Sequence, residues 1–261
     1  MRRAFGASLR IGLSPRGVAL VASNRFKRVQ VTVLGEQRLA DGGLDTIVAA
    51  LRALLLEAGC DGWPATFVVA DELARMWQVT PPPGAARMAD LQAACAFRFQ
   101  GLYGEPPLAW RIAADLDPIV PFMAAALPRQ LLALLEQAAS EHRLIVLETV
   151  PQFVAGFNRW RKQIGPGAWY GLVHEGVLTV GAGGWVRAVA LPDGADGAWL
   201  SRQLEREALR LNVPAPSRLV ASGQVPAGWL NGAPGTVPCT ALGVAADWSP
   251  SVRLAVTGSQ A

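Results

Sequence analysis

Few side chains here can do acid–base or covalent chemistry. His142 and His174 are the only histidines, so a Ser/His/acid hydrolase has to route through one of them. His142 ends an apolar-periodic segment in Glu141-His142-Arg143, where a helix dipole favours a solvated imidazole. His174 precedes Glu175-Gly176, a turn signature, and neither histidine adjoins a GxSxG elbow, which the chain lacks. Metal sites of the HExxH or two-histidine facial type need paired histidines and have none. Cys60, Cys95 and Cys239 form no CxxC or Cys/His grouping and read as buried thiols. A P-loop needs lysine after glycine to neutralise phosphates, yet neither Lys27 nor Lys162 follows glycine. Gly181-Ala182-Gly183-Gly184 joins two strand-like segments instead of opening a helix, so it reads as a hairpin and not as a phosphate cradle.

The elements that position these residues belong to a chain with a substantial core. It is 51% hydrophobic and 17% charged, and its 261 residues suit one large α/β domain or two lobes. The longest apolar run, Ile119–Leu127, contains Pro121 and falls short of the ~20 residues of a spanning helix. Arg10 and Arg16 break every candidate export core behind Arg2-Arg3, so the chain is expected to stay in the cytosol. Its +4 charge is uneven. Through Arg38 there are eight basic residues (Arg2, Arg3, Arg10, Arg16, Arg25, Lys27, Arg28, Arg38) against Glu36; from totals of 24 and 20, sixteen basic and nineteen acidic residues remain. That basic segment could meet an anionic membrane or acidic partner, or it could be charged strand edge that blocks aggregation. Nucleic acid is not an expected partner, because no aromatic-interleaved basic motif occurs.

Leu9–Leu13, Val18–Ala22 and Val29–Leu34 read as a three-strand meander punctuated by Ser14-Pro15-Arg16-Gly17. Asp45 is the expected cap of a helix striped by Ile47, Leu51, Leu54, Leu55 and Ala58, and Thr66–Ala70 is a strand. After the Thr80–Gly84 proline break come a helix (Met88–Leu102), strands (Trp110–Ala114, Ile119–Ala126), a helix (Pro128–Ser140), a strand (Leu144–Leu147) and a helix (Pro151–Trp160). Strands at Trp169–Val173, Val177–Val180 and Trp185–Leu191, a helix capped by Asp196, and a strand at Arg218–Ala221 then repeat the opening order. A doubled βββαβ order describes an α/β, actin-like fold: two ribonuclease-H-like lobes, 1–80 and 168–261, with an inserted α/β subdomain at 81–142 and a return strand and helix at 143–167.

That fold makes an ATPase the enzymatic expectation to test. Its two hairpins would hold magnesium and phosphate through acidic residues and glycines. The first offers Gly12, Ser14 and Gly17 with no carboxylate, the second Glu175 and Gly176, and the adenosine-loop position Ser222 and Gly223. Without paired carboxylates the bridging ion loses its anchors, so hydrolysis is expected to be absent and ATP/Mg binding weak or lost. An active ATPase or sugar-kinase-like enzyme resting on Glu175 is the alternative.

The chain resembles the PilM-like and GspL-like proteins of type IV pilus assembly and type II secretion. The resemblance rests on Arg10-Ile11-Gly12-Leu13, Val68-Val69-Ala70-Asp71, the segment Leu91–Phe99, Leu102-Tyr103-Gly104, Trp110, Pro121-Phe122, Ala126-Leu127-Pro128 and Pro151-Gln152-Phe153. It implies a cytoplasmic scaffold, peripheral to the inner membrane, that takes a cytoplasmic peptide of a PilN-like or GspM-like membrane protein and links it to the assembly ATPase. Arg98, Phe99 and Tyr103, clustered on one predicted helix, are the expected partner contacts; the competing assignment is that Phe97, Phe99 and Tyr103 fill the insertion's core. Self-association is left open.

Overall fold

The computed structural model describes residues 6–24, 31–85, 87–182, 184–243 and 247–259. Two compact units divide it: one holds the chain through Ala155 and from Trp248 onward, the other Gly156–Ala182 and Val186–Asp247.

The first unit is built on strands β1 (Ala7–Ser14), β2 (Gly17–Asn24), β3 (Val31–Arg38), β4 (Pro64–Val69) and β8 (Ile145–Pro151), in the order β3-β2-β1-β4-β8. The meander is antiparallel, and β4 runs parallel to both β1 and β8. Alternation along these strands sorts the two faces. Leu9, Ile11, Leu13, Val18, Leu20, Ala65, Phe67 and Val69 point into the main core. Helix α1 (Leu44–Ala58) covers them with Ile47, Leu51, Leu54 and Leu55, and α3 (Arg129–Glu141) with Leu131, Leu135 and Ala138. The cap of α1 differs from expectation. Gly43 is the N-cap residue, Asp45 lies within the first turn, and Asp41 takes the Gly43 N–H at 3.1 Å.

The opposite face carries Ala19, Val21, Val68 and Ala70 under helix α7 (Pro250–Val256). This C-terminal helix corrects the placement of the whole segment to residue 261 in the second lobe. Its backbone approaches β1 so closely that a Cβ on Gly12 would lie 2.6 Å from Ser251 O and 2.7 Å from Ala255 N. Arg10 reaches up from the same face, donating Nε–H to Ala255 O at 2.8 Å and Nη2–H to Thr257 O, and so satisfies carbonyls at the helix C-terminus. Burial pushes its guanidinium down to about 10, against the opposing pull of Glu148.

The insertion has its own sheet, order β5-β7-β6, from β5 (Arg75–Val79), β6 (Trp110–Ala114) and β7 (Phe122–Pro128), all antiparallel. Helix α2 (Met88–Tyr103) packs Leu91, Cys95 and Phe99 against Trp77, Trp110 and Phe122. Its bounds differ from the expected 81–142: β5 lies before the proline break, and α3 serves the first sheet's core. Strand β7 also starts later than expected, because Asp117 turns the chain by accepting the N–H groups of Ile119 (2.7 Å) and Val120 (3.0 Å).

The second unit repeats the strand order. Its strands β9 (Ala168–His174), β10 (Val177–Ala182), β11 (Trp185–Ala190), β12 (Arg218–Gly223) and β13 (Cys239–Leu242) run β11-β10-β9-β12-β13. Helix α5 (Gly197–Leu211) buries Leu200, Leu204 and Ala208, and Asp196 caps it by accepting Trp199 N–H at 2.7 Å. A short helix α6 (Ala227–Leu230) seats Trp229 against Trp199. Helix α4 (Gln152–Ile164) carries the chain from one unit into the other. Among the described residues no helix is long and apolar enough to cross a membrane.

Gly12→Ala places a methyl against the α7 backbone and should cost about 1–3 kcal/mol in urea unfolding; an unchanged midpoint would contradict the close approach.

Candidate functional site

The positions expected to hold nucleotide fall into one group per unit. In the first, β1 and β2 join through Pro15-Arg16, with Ser14 paired to Gly17. Ser14 is buried, and its Oγ accepts Arg16 N–H (3.2 Å) and Gly17 N–H (3.1 Å) while donating to Gly17 O (3.1 Å). The backbone donors that would cradle a phosphate are thus already bound to a side chain. Gly17, like Gly12, is explained by packing, since its Cβ would lie 2.5 Å from Ser251 Oγ.

Sequence reasoning missed the carboxylates beside this hairpin. Because β1 and β4 are parallel neighbours, with Ala70 N–H bonded to Leu13 O at 2.9 Å, the turn after β4 lies next to the hairpin. Glu72 ion-pairs with Arg16 at 3.3 Å, and Asp71 accepts Phe153 N–H at 2.9 Å at the start of α4. Both are therefore engaged within the unit. Only strand adjacency reveals them, and the expected Val68–Asp71 segment was the available signal.

In the second unit the expected residues do come together, at the ends of the parallel pair β9 and β12. Glu175 and Gly176 are the two loop residues of the β9–β10 hairpin, at φ 45° and 74°, the pattern of a type I′ turn. Glu175 Oε2 lies 3.5 Å from His174 Nε2. Ser222 Oγ shares a 2.7 Å hydrogen bond with the Tyr170 hydroxyl. Gly223, at φ 87°, leaves no room for a side chain, as a Cβ would fall 2.1 Å from Val173 O.

The remaining reactive groups are accounted for locally. His142 Nδ1 sits 3.2 Å from Asp61 Oδ1, and hydrogen bonds from Arg143 and His142 hold the Asp61 carboxyl below its usual range. Burial pushes the Cys95 and Cys239 thiols up to about 11 and raises Cys60, which disfavours a nucleophilic thiolate. Among the described residues no three His, Cys, Asp or Glu side chains cluster as a metal site requires.

The expected partner contacts separate. Phe99 is fully buried, its ring 5.2 Å from Trp77 and 5.5 Å from Trp110, so no partner reaches it while α2 is packed. Tyr103 is half-buried and donates its hydroxyl to Met76 O at 2.9 Å. Arg98 is exposed and lines an open groove of about 810 Å³ between α2, the end of β5 and the Pro82-Pro83-Gly84 loop. Phe97, which the competing assignment placed in the core, is 83% exposed and lines the same groove. The signal lay in the helical period: Leu91, Cys95 and Phe99 form one stripe, and Phe97 falls off it.

No family model matches the chain, and no curated protein does. Solved structures do. The cytoplasmic domain of EpsL, an inner membrane component of the type II secretion system of Vibrio cholerae, is similar over 97% of this chain and 94% of that one, with 13% identity and a TM-score of 0.63. A Bacteroides thetaiotaomicron protein with an actin-like ATPase fold and unknown function covers 85% and 84% at 11% identity, TM-score 0.55. A chain of the PilM-PilN type IV pilus biogenesis complex covers 83% and 81% at 15% identity, also at 0.55. The chain therefore has the actin-like fold, and the resemblance read from its sequence to GspL-like and PilM-like proteins is met at the level of that fold.

Phe99→Ala should cost about 3–5 kcal/mol of stability and Phe97→Ala less than about 0.5 kcal/mol by denaturant unfolding; equal losses would refute the division of α2 into buried and open faces.

Proposed function

We propose that the chain is a non-catalytic actin-like scaffold of a type II secretion or type IV pilus platform. It works at the cytoplasmic side of the inner membrane, holds the cytoplasmic segment of a PilN-like or GspM-like membrane protein, and links that protein to the assembly ATPase. The carrying observation is the fold likeness to the EpsL cytoplasmic domain, which leaves little of either chain unmatched. The PilM-PilN complex adds a relative in fold whose own partner is PilN.

The insertion's groove is the proposed contact for the membrane partner. Strand β5 is an edge of its sheet, where an added strand would pair beyond Met76, whose carbonyl Tyr103 already holds. Phe97 offers an apolar anchor beside Ala93, Ala94 and Pro83, and Arg98, which has no hydrogen-bond or ion-pair partner among the described residues, suits a carboxylate. Phe99 and Tyr103 support this face from beneath. An active ATPase or sugar-kinase-like enzyme is the second reading, favoured by Glu175 in the loop that follows β9, the strand to which Ser222 and Gly223 pair. It needs a metal anchor in the first unit, where Ser14, Glu72 and Asp71 already have partners.

A labelled synthetic PilN-like N-terminal peptide should bind in fluorescence anisotropy, and Phe97→Glu should weaken it at least about ten-fold. Affinity indifferent to Phe97→Glu would remove the groove from the account.

A further inference from the structure

Of the basic N-terminal residues, Arg2, Arg3, Arg25, Lys27 and Arg28 lie outside the described residues, Arg10 is occupied under α7, Arg16 pairs with Glu72, and Arg38 is exposed on β3. A different set of cations is gathered on the second unit, at the C-terminal end of α4.

Arg161 and Lys162 occupy the last turn of α4, both exposed and both without a hydrogen-bond or ion-pair partner among the described residues. Arg159 precedes them, its guanidinium 4.8 Å above the Trp160 ring. Arg218, at the start of β12, adds a fourth charge by donating Nη2–H to Ile164 O at 2.9 Å. The Gly165-Pro166-Gly167 turn between them is exposed and carries no bulky side chain, and Ser217 N–H fastens it to β12 through Gly167 O at 2.9 Å. Two acid-free stretches meet here: no Asp or Glu occurs in 149–174 or in 208–246. Helix-end electrostatics account for Arg218, which binds the terminal carbonyls. They also favour Arg161 and Lys162 in the last turn, but leave both side chains without a hydrogen-bond or ion-pair partner among the described residues.

We infer that the end of α4, with Arg159, Trp160, Arg161, Lys162 and Arg218, is a docking surface for an anionic lipid bilayer. A cluster of cations complements a negative membrane surface, and a half-buried tryptophan at its centre matches the preference of indole for headgroup depth. Single-stranded nucleic acid is the other polyanion with a use for a basic–aromatic patch, but it needs an open ring face for base stacking. Trp160 has one face under Arg159, and its Cζ2 edge lies against Gly243, at 3.8 Å from where a Cβ there would stand.

This goes beyond the scaffold reading, and the two fail separately, because peptide capture by the groove should survive loss of the patch. The test is co-sedimentation of the full chain with phosphatidylcholine vesicles with and without phosphatidylglycerol. Binding should need the anionic lipid and fall as salt shortens the screening length from ~10 Å at 0.1 M. At about 1 kcal/mol per cation, or about five-fold each, Arg161→Glu/Lys162→Glu should weaken it at least about 30-fold. Arg38→Glu/Arg111→Glu, an equal charge change on exposed strands of the first unit, should leave it within about three-fold. The inference is overturned by binding that ignores phosphatidylglycerol, by equal losses in the two double variants, or by tight capture of a single-stranded oligonucleotide with vesicles left unbound.

Discussion

Close packing of α7 on β1 is the constraint on which the first unit depends. Strand β1 is central in its sheet, and its two faces have opposite requirements. Leu9, Ile11 and Leu13 fill the main core on one side. On the other, Gly12 has no side chain because a helix backbone passes where a Cβ would stand, and Arg10 extends around that helix to its terminal carbonyls. Buried carbonyls left without donors cost about 1–3 kcal/mol each, so the guanidinium offsets a penalty that the short helix cannot avoid alone. Gly12 and Gly17, which look like a phosphate loop in the sequence, are thus accounted for by helix packing.

The same strand order is closed differently in the second unit. There Gly223 makes the close approach, to Val173, and Tyr170 and Ser222 share a hydrogen bond beneath it. A left-handed Glu175 tightens the β9–β10 turn, a conformation that residues other than Gly, Asn and Asp seldom adopt. In each unit a strand-end serine is thus bonded to its own neighbours, Ser14 to the β1–β2 turn and Ser222 to Tyr170. A phosphate-binding loop needs such donors free.

Much of the fold was legible in the sequence because its strongest signals are local. Helix α5 announces itself through Asp196 and the Leu200, Leu204, Ala208 stripe, and the opening meander through Ser14-Pro15-Arg16-Gly17. Elements defined by distant pairing were hidden. Strand β5 pairs with β7 across an entire helix, so Trp77 and Val79 gave no sign of which sheet they join. Helix α7 is short, and nothing in Pro250–Val256 specifies that it belongs to the first sheet. The candidate site followed the same rule: Glu175 and Gly176 were found as a turn, whereas Glu72 reaches Arg16 only through the β1–β4 ladder. Phe97 and Phe99 needed just the helical period to separate them.

The central claim is that the actin-like architecture persists here without a working nucleotide clamp. Calorimetric titration of the full chain with magnesium and ATP, followed by phosphate-release measurement on the same sample, tests it most directly. The account predicts binding weaker than about 1 mM, a free energy less favourable than about −4 kcal/mol, and no release above buffer. Saturable micromolar binding with steady turnover would contradict it.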